Sequence, residues 1–357
     1  MDSITQFTLG AAVGVAVGGR KLGPRKAALA GGLLGTIPDL DVFIPLGDPV
    51  ADFIYHRGPT HSLFVHALVT PIFGEGLRRL FAGLRDHWRT AWAMVFLCFT
   101  THAIIDWMTV YGTRILWPLP ADAFALGTFF IIDPLYTIPL LILVIWALTR
   151  AAWSKAMAIG VTMALGLSTL YGGWSVLAQA KARSQAEAYL AEHNIAVDRM
   201  MVTPTPFNTF FWRAIAVTNE HYINVYVPLL GGEPQAYRHP RGGLSPECLP
   251  EIEQFALLHE FADGFVKTEI IDGQLWVRDL RMGSTPSYVF SFIVADRDNN
   301  GFRAIPPQQI RSSRETTAND WAWLQSGILG EPIVRNTEAS TALALNSTLA
   351  PQTQASC

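Results

Sequence analysis

The sequence predicts an α-helical membrane bundle of about five to six segments, some short or broken, followed by a small β-rich soluble domain. Three observations carry this expectation. Half of the 357 residues are hydrophobic and 15% are charged, against about 25% in an average soluble domain. Charge is thin through Ala178, whereas the chain from Gln179 onward has ordinary soluble composition. Three apolar stretches, 91–110, 129–148 and 156–177, approach the ~20 residues that a hydrocarbon core demands.

Three further stretches are shorter or interrupted: 4–19, 27–46 (broken by Pro38, Asp39 and Asp41) and 61–77. Six in a row exceed what buried helices of a soluble core account for. Basic residues sort by loop. Arg20, Lys21, Arg25 and Lys26 follow the first segment, Arg78, Arg79, Arg85 and Arg89 the third, and Arg150 and Lys155 the fifth. By the positive-inside tendency these loops face the cytoplasm. Residues 47–60, 111–128 and everything after Leu177 then face outward, with Arg57 and Arg114 against the trend. The domains expected are a membrane-embedded 1–178, an extracytoplasmic 179–335 and a disordered tail, 336–357. The expected location is the bacterial inner membrane, multi-pass, with the C-terminal domain periplasmic.

Other classes are excluded by composition. The N-terminus has no basic n-region, so no signal peptide is expected. A net charge of −3 leaves no nucleic-acid footprint. Cys98, Cys248 and Cys357 show neither paired nor metal-type spacing, so no disulfide framework and no cysteine zinc site are expected.

Polar residues gather at the outward ends of the apolar stretches: Asp39 and Asp41 after Pro38, then His56, Arg57 and His61, then His102 and Asp106, and finally Asp133. His102 and Asp106 stand four apart in a helical stretch and project from one face. Neutral imidazole and carboxylate suit zinc first, with manganese or iron as alternatives. Ionisable groups in membrane segments are costly and mark functional sites by default. Depth agrees. Lys26 to Asp39 and Arg89 to His102 each span about 20 Å of helix, and His61 to Arg78 and Asp133 to Arg150 each about 26 Å. In a core ~30 Å thick, all four sit at the outer level. Taken singly, each residue has a plainer explanation. His66 reads as a buried structural histidine, Asp39 as a cap on the helix break, and His102 with Asp106 as an interhelical pair. Asp48 and Asp52 read as loop solvation. Taken together, Asp39, Asp41, His56, His61, His102, Asp106 and Asp133 favour a metal centre.

These motifs also carry a resemblance. Residues 1–6 (MDSITQ), 37–41 (IPDLD) and 56–62 (HRGPTHS) resemble the YdjM-like family of membrane-bound metal-dependent hydrolases. His102 with Asp106, Tyr111-Gly112-Thr113 and Ile132-Asp133-Pro134 follow in the same order. The resemblance covers residues 1–148 with specific motifs. It extends loosely to 204–213, where Pro204 to Thr209 and Trp212-Arg213 are similar to the extra domain of a bacterial subgroup. It implies metal-dependent hydrolysis at the inner membrane and names no substrate. Many members have His where Gln6 stands. Gln6 is a poor metal ligand, so this chain uses fewer ligands or uses Gln6 to hold a water or a substrate oxygen.

The tail reads as a helix over 184–193 and then short β runs: 214–217, 222–227, 265–271, 274–280 and 288–295. Asp272-Gly273 is a hairpin turn signal. Asp296 to Asn300 lacks calcium-loop spacing and reads as a polar turn.

The expected activity is metal-dependent hydrolysis. Asp41 or Asp106, whichever is not a ligand, takes the proton, and Arg57 holds a phosphate. The depth of the site points to a lipid or lipid-linked phosphoester. A transporter or metal sensor is the rival, but an ion path needs ionisable groups spread through the bilayer. A third reading is a metal-stabilised anchor for a partner-binding tail domain.

Overall fold

The computed structural model describes residues 1–119, 123–299, 301–311 and 316–344. A helical N-terminal half precedes a sheet-rich C-terminal part, and the chain forms two compact units. The first comprises Met1–Ile44, Arg57–Leu177 and Pro206–Asn208. The second comprises Pro45–His56, Ala178–Thr205 and the described residues from Thr209 onward.

In the first unit, helix α1 (Ser3–Leu22) starts on Asp2, whose carboxylate accepts from the Ile4 and Thr5 amides, and it packs on α2 (Pro24–Thr36). The two helices touch backbone to backbone. A Cβ on Gly14 would lie 2.4 Å from the Ala27 carbonyl oxygen, and one on Gly31 would lie 2.3 Å from that of Gly10. Side chains at these crossings would push the helices apart. Helix α2 ends at Thr36 because Pro38 supplies no amide hydrogen and disfavours helix just before it. A 3₁₀ turn, Pro38–Phe43, takes over and carries Asp39 and Asp41. Helix α3 (Pro49–Tyr55) belongs to the second unit.

A second 3₁₀ turn, Pro59–His61, leads into α4 (Leu63–Leu80), which Ser62 caps. Helices α5 (Trp88–Trp107) and α6 (Pro134–Leu148) follow. Helix α7 (Lys155–Glu192) runs unbroken for 38 residues, about 57 Å at the usual rise. Of these helices, α5 and α7 are long and apolar enough to cross a membrane. The expected five to six spans are not matched by that measure, for local reasons. Helix α1 dilutes its apolar residues with Gly, Thr and Gln, α2 stops after 13 residues, and α4 carries Glu75, Arg78 and Arg79. Helix α6 is apolar but has 15 residues, because Phe129 to Asp133 lie outside it.

In the second unit, β1 (Arg199–Pro204), β2 (Phe211–Val217), β3 (His221–Pro228) and β4 (Gln235–Pro240) form an antiparallel meander. One face buries Trp212, Ala214, Ala216, Ile223 and Val225 under Ala178, Ala182, Ala186 and Leu190 of α7. The alternate residues Ile215, Val217 and Tyr222 face Phe265, Leu280 and Tyr288, as the period-2 geometry of a strand requires. Helix α8 (Glu253–Phe261) precedes β5 (Val266–Ile271) and β6 (Gln274–Asp279). After the short β7 (Gly283–Ser284) and β8 (Ser287–Tyr288) come β9 (Ser291–Asp298) and β10 (Gly301–Ile310). The second sheet has the order β10-β9-β6-β5. Asp272 and Gly273 both take positive φ, 52° and 76°, as a tight hairpin turn needs. Asp296–Asp298 lie in β9, paired with Gly301–Arg303 across the next turn.

Two expectations are corrected here. The disorder expected from residue 336 does not hold at its start, where α10 (Asn336–Ala339) follows α9 (Ala318–Ile328). Glu338 is fully buried and accepts from Asn224, Tyr226 and Arg335, with His239 3.2 Å away. A polar composition hid a segment held by buried hydrogen bonds instead of apolar contacts. Residues 345–357 of that expectation lie outside the described residues. Cys248 is disulfide-bonded, although no disulfide framework was expected, because a single bridge leaves no spacing pattern.

Candidate metal centre

Three elements of the first unit bring four side chains together. The 3₁₀ turn after α2 supplies Asp39, the turn before α4 supplies His61, and α5 supplies His102 and Asp106 from one face. One ligand atom from each lies within 4.8 Å of all the others. His61 Nε2 and His102 Nε2 are 3.1 Å apart. Each is 3.4 Å from Asp39 Oδ1. Asp106 Oδ2 stands 3.2 Å from His61 Nε2 and 3.6 Å from His102 Nε2.

The hydrogen bonds behind the rings decide what these atoms offer. His102 Nδ1 is 2.7 Å from the Gly35 carbonyl oxygen, which only accepts, so Nδ1 carries the proton. Thr60 donates its hydroxyl hydrogen to Asp41 Oδ2 at 2.6 Å. Its remaining lone pairs accept from His61 Nδ1 at 3.0 Å. In their neutral forms both rings turn bare Nε2 lone pairs toward each other and toward two carboxylates. Asp39 Oδ1 is buried with no hydrogen-bond partner. A proton on one Nε2 satisfies one of these pairs, whereas a divalent cation satisfies all four atoms at once.

The spacing fits such an ion. Bonds of about 2.1 Å to a tetrahedral zinc separate neighbouring ligand atoms by about 3.4 Å, and the five separations above lie between 3.1 and 3.6 Å. Two imidazoles with two carboxylates also suit zinc by donor type. His61, His102 and Asp106 are buried, while the Asp39 side chain is 25% exposed. Among the four, Asp39 is the one that solvent reaches.

Arg57 borders the centre. It is buried in a left-handed conformation, φ 63°. Its Nε lies 3.2 Å from Asp106 Oδ2, and its guanidinium sits 4.9 Å from the Tyr111 ring centre. The remaining expected residues fall elsewhere. Asp41 is spent on Thr60 and on the Arg57 backbone amide, 3.1 Å away. Asp133 caps α6 through the Leu135 and Tyr136 amides and accepts from the Tyr171 hydroxyl at 2.9 Å. His56 closes α3 in the second unit and is not one of the four. A carboxylate at a helix break or a helix start has backbone donors to satisfy, and spacing does not reveal which carboxylates are so engaged.

The sequence did not reveal the supporting groups. Gln6 turns its amide to Asp106 Oδ1 at 2.8 Å, as does the Met1 amino group. His66, read as structural, lies with Nε2 2.8 Å from the Thr60 carbonyl oxygen. The expected ambiguity at Gln6 thus resolves into a contact to a carboxylate of the cluster.

A helical half carrying a two-His, two-Asp group able to hold a metal ion, followed by a sheet-rich domain, defines the class of protein. The chain belongs to the family described as YdjM inner membrane protein, which it matches over residues 1–182. No curated protein and no solved structure matches it.

Proposed function

We propose that the chain is a membrane-bound, metal-dependent hydrolase whose substrate is a lipid or lipid-linked phosphoester. The observation that carries this reading is the convergence of two bare Nε2 atoms and two carboxylates on one point, with a buried guanidinium beside it. Asp39, His61, His102 and Asp106 would hold the ion. A divalent ion supplies Lewis acidity and makes water nucleophilic near neutral pH. Arg57 binds the phosphate, since a guanidinium matches two phosphate oxygens at once. Asp106 is buried and its Oδ1 accepts from Gln6, so the second oxygen of Asp39, whose side chain is the one that solvent reaches, is the better placed proton acceptor. That revises the expected choice of Asp41 or Asp106.

The membrane placement rests on the family, on α5 and α7, and on exposed apolar faces. Leu68 and Ile72 of α4 and Ile142 of α6 are exposed, as lipid-facing side chains are. We place α1, α2, α4 and α6 in the bilayer with them, in the bacterial inner membrane. By the basic loops, the tail domain is periplasmic.

The test is phosphoester turnover by the detergent-purified chain with added Zn²⁺ or Mn²⁺. We expect turnover that His61→Ala abolishes and Arg57→Gln reduces while the metal stays bound. No turnover on a panel of lipid phosphates would remove this substrate class. One observation favours a second reading. Four protein ligands close a tetrahedron, as structural zinc sites do, whereas catalytic sites keep a position open. Under that reading the ion staples the helix ends for a partner-binding tail, and Asp39→Asn would lower thermal stability without touching any turnover.

A further inference from the structure

Asp41 was expected among the ligands, yet it stands one residue removed from the centre. Its Oδ2 accepts the Thr60 hydroxyl at 2.6 Å, and Thr60 Oγ1 in turn faces His61 Nδ1 at 3.0 Å. The direct separation of Asp41 Oδ2 from His61 Nδ1 is 3.8 Å, too long for a hydrogen bond. A hydroxyl has one hydrogen. With that hydrogen committed to a carboxylate, Thr60 presents only lone pairs to the ring. A neutral His61 then carries its proton on Nδ1 and keeps Nε2 bare.

We propose that Asp41 is a positioning residue that acts on the centre through Thr60, by fixing the tautomer and orientation of His61. The reading rests on the metal site above and gives Asp41 a role there other than ligand or base. Two further contacts belong to the device. The His66 ring bonds the Thr60 carbonyl oxygen at 2.8 Å and holds the turn from behind. Asp41 Oδ2 also accepts the Arg57 backbone N–H at 3.1 Å, at a residue whose φ of 63° a side chain adopts reluctantly. One carboxylate oxygen thus sets both the imidazole that faces the ion and the guanidinium beside it. His102 receives the same service from the Gly35 carbonyl at 2.7 Å, so each imidazole has its own tautomer lock. Such outer partners are worth 10–100-fold in metal affinity.

The experiment is Co²⁺ titration of the full-length, detergent-purified protein, followed by the visible absorption of the bound ion. Wild type is compared with Thr60→Val, Thr60→Ser, Asp41→Ala, Asp41→Asn and the Asp41→Ala/Thr60→Val double variant. Thr60→Val and Asp41→Ala should each weaken Co²⁺ binding about 10–100-fold and leave the spectrum at saturation unchanged. The double variant should bind no worse than the weaker single one. Thr60→Ser keeps the hydroxyl and Asp41→Asn keeps an acceptor, so both should recover most of the affinity. They also stand in if Asp41→Ala fails to fold. Thr60→Val binding Co²⁺ like wild type would overturn the proposal. So would a changed spectrum in Asp41→Ala or Asp41→Asn, which would make Asp41 a ligand after all. If wild type takes up no Co²⁺, the metal reading itself falls and the relay falls with it. If wild type binds and Thr60→Val is silent, only the relay falls.

Discussion

The Nε2 atoms of His61 and His102 lie 3.1 Å apart, and the hydrogen bonds on the far side of each ring leave both as lone-pair donors. A single proton between them satisfies that one pair, whereas a divalent cation satisfies the carboxylates as well. The two carboxylates at 3.2 to 3.6 Å from the rings add negative charge at the same point. The arrangement is costly without an ion and coherent with one.

Arg57 should separate substrate binding from metal binding. Its guanidinium pairs with Asp106 and packs over Tyr111, outside the four-atom group. A hydrogen bond to a charged group contributes about 1.5–3 kcal/mol. Arg57→Gln should therefore lower kcat/KM for an anionic phosphoester by roughly 10–150-fold, with metal content near that of wild type. Equal loss of metal would show that Arg57 supports the centre and does not serve the substrate.

The glycine contact between α1 and α2 should matter at a distance. A Cβ on Gly35 would lie 2.7 Å from the Gln6 carbonyl oxygen, and the Gly35 carbonyl is the partner of His102 Nδ1. Gly35→Val should destabilise the helical unit by about 1–3 kcal/mol and weaken metal binding as well. Thermal denaturation with and without added metal checks both. A variant with wild-type melting in both conditions would show that the close approach is dispensable.

Glu338 gives the tail domain a pH dependence of known sign. Burial opposes its charge, but His239, Arg213, Arg335 and Tyr226 more than offset this and hold its pKa below the usual carboxylate range. A carboxylate depressed in the folded state stabilises above its unfolded pKa, and that contribution is lost as pH falls. Protection of the β3 amides from hydrogen exchange should thus be flat near neutrality and decline below about pH 4.5. Glu338→Ala should cost about 1–3 kcal/mol, because the buried Asn224 and Tyr226 lose their acceptor, while Arg335 keeps Asp320 at 2.8 Å. Glu338→Gln should flatten the acid decline. An unchanged acid profile in Glu338→Gln would assign the decline to other groups.

Legibility from sequence divides along physical lines. Helix–sheet order was readable because apolar runs and period-2 strands announce themselves locally. His102 with Asp106 was readable because four-residue spacing places both on one helical face, and Pro38 marked the break that carries Asp39. The fate of Asp41, Asp133 and His56 was not readable. Whether a carboxylate caps a backbone, holds a hydroxyl or faces an ion depends on which strangers in sequence arrive beside it. Gln6 and Gly35 are such strangers: one bonds Asp106 from 100 residues away and the other bonds His102 from 67. Strand β10 escaped notice because Pro306 and Pro307 interrupt it at a shift in register.

The most direct measurement is the divalent metal content of the detergent-purified protein, prepared without chelators, for wild type and for His102→Ala. Wild type should carry at least about one zinc, manganese or iron ion per chain, and His102→Ala should lose most of it. A wild-type protein free of transition metal, or a His102→Ala variant that retains a full complement, would contradict the metal centre on which the proposed hydrolysis depends.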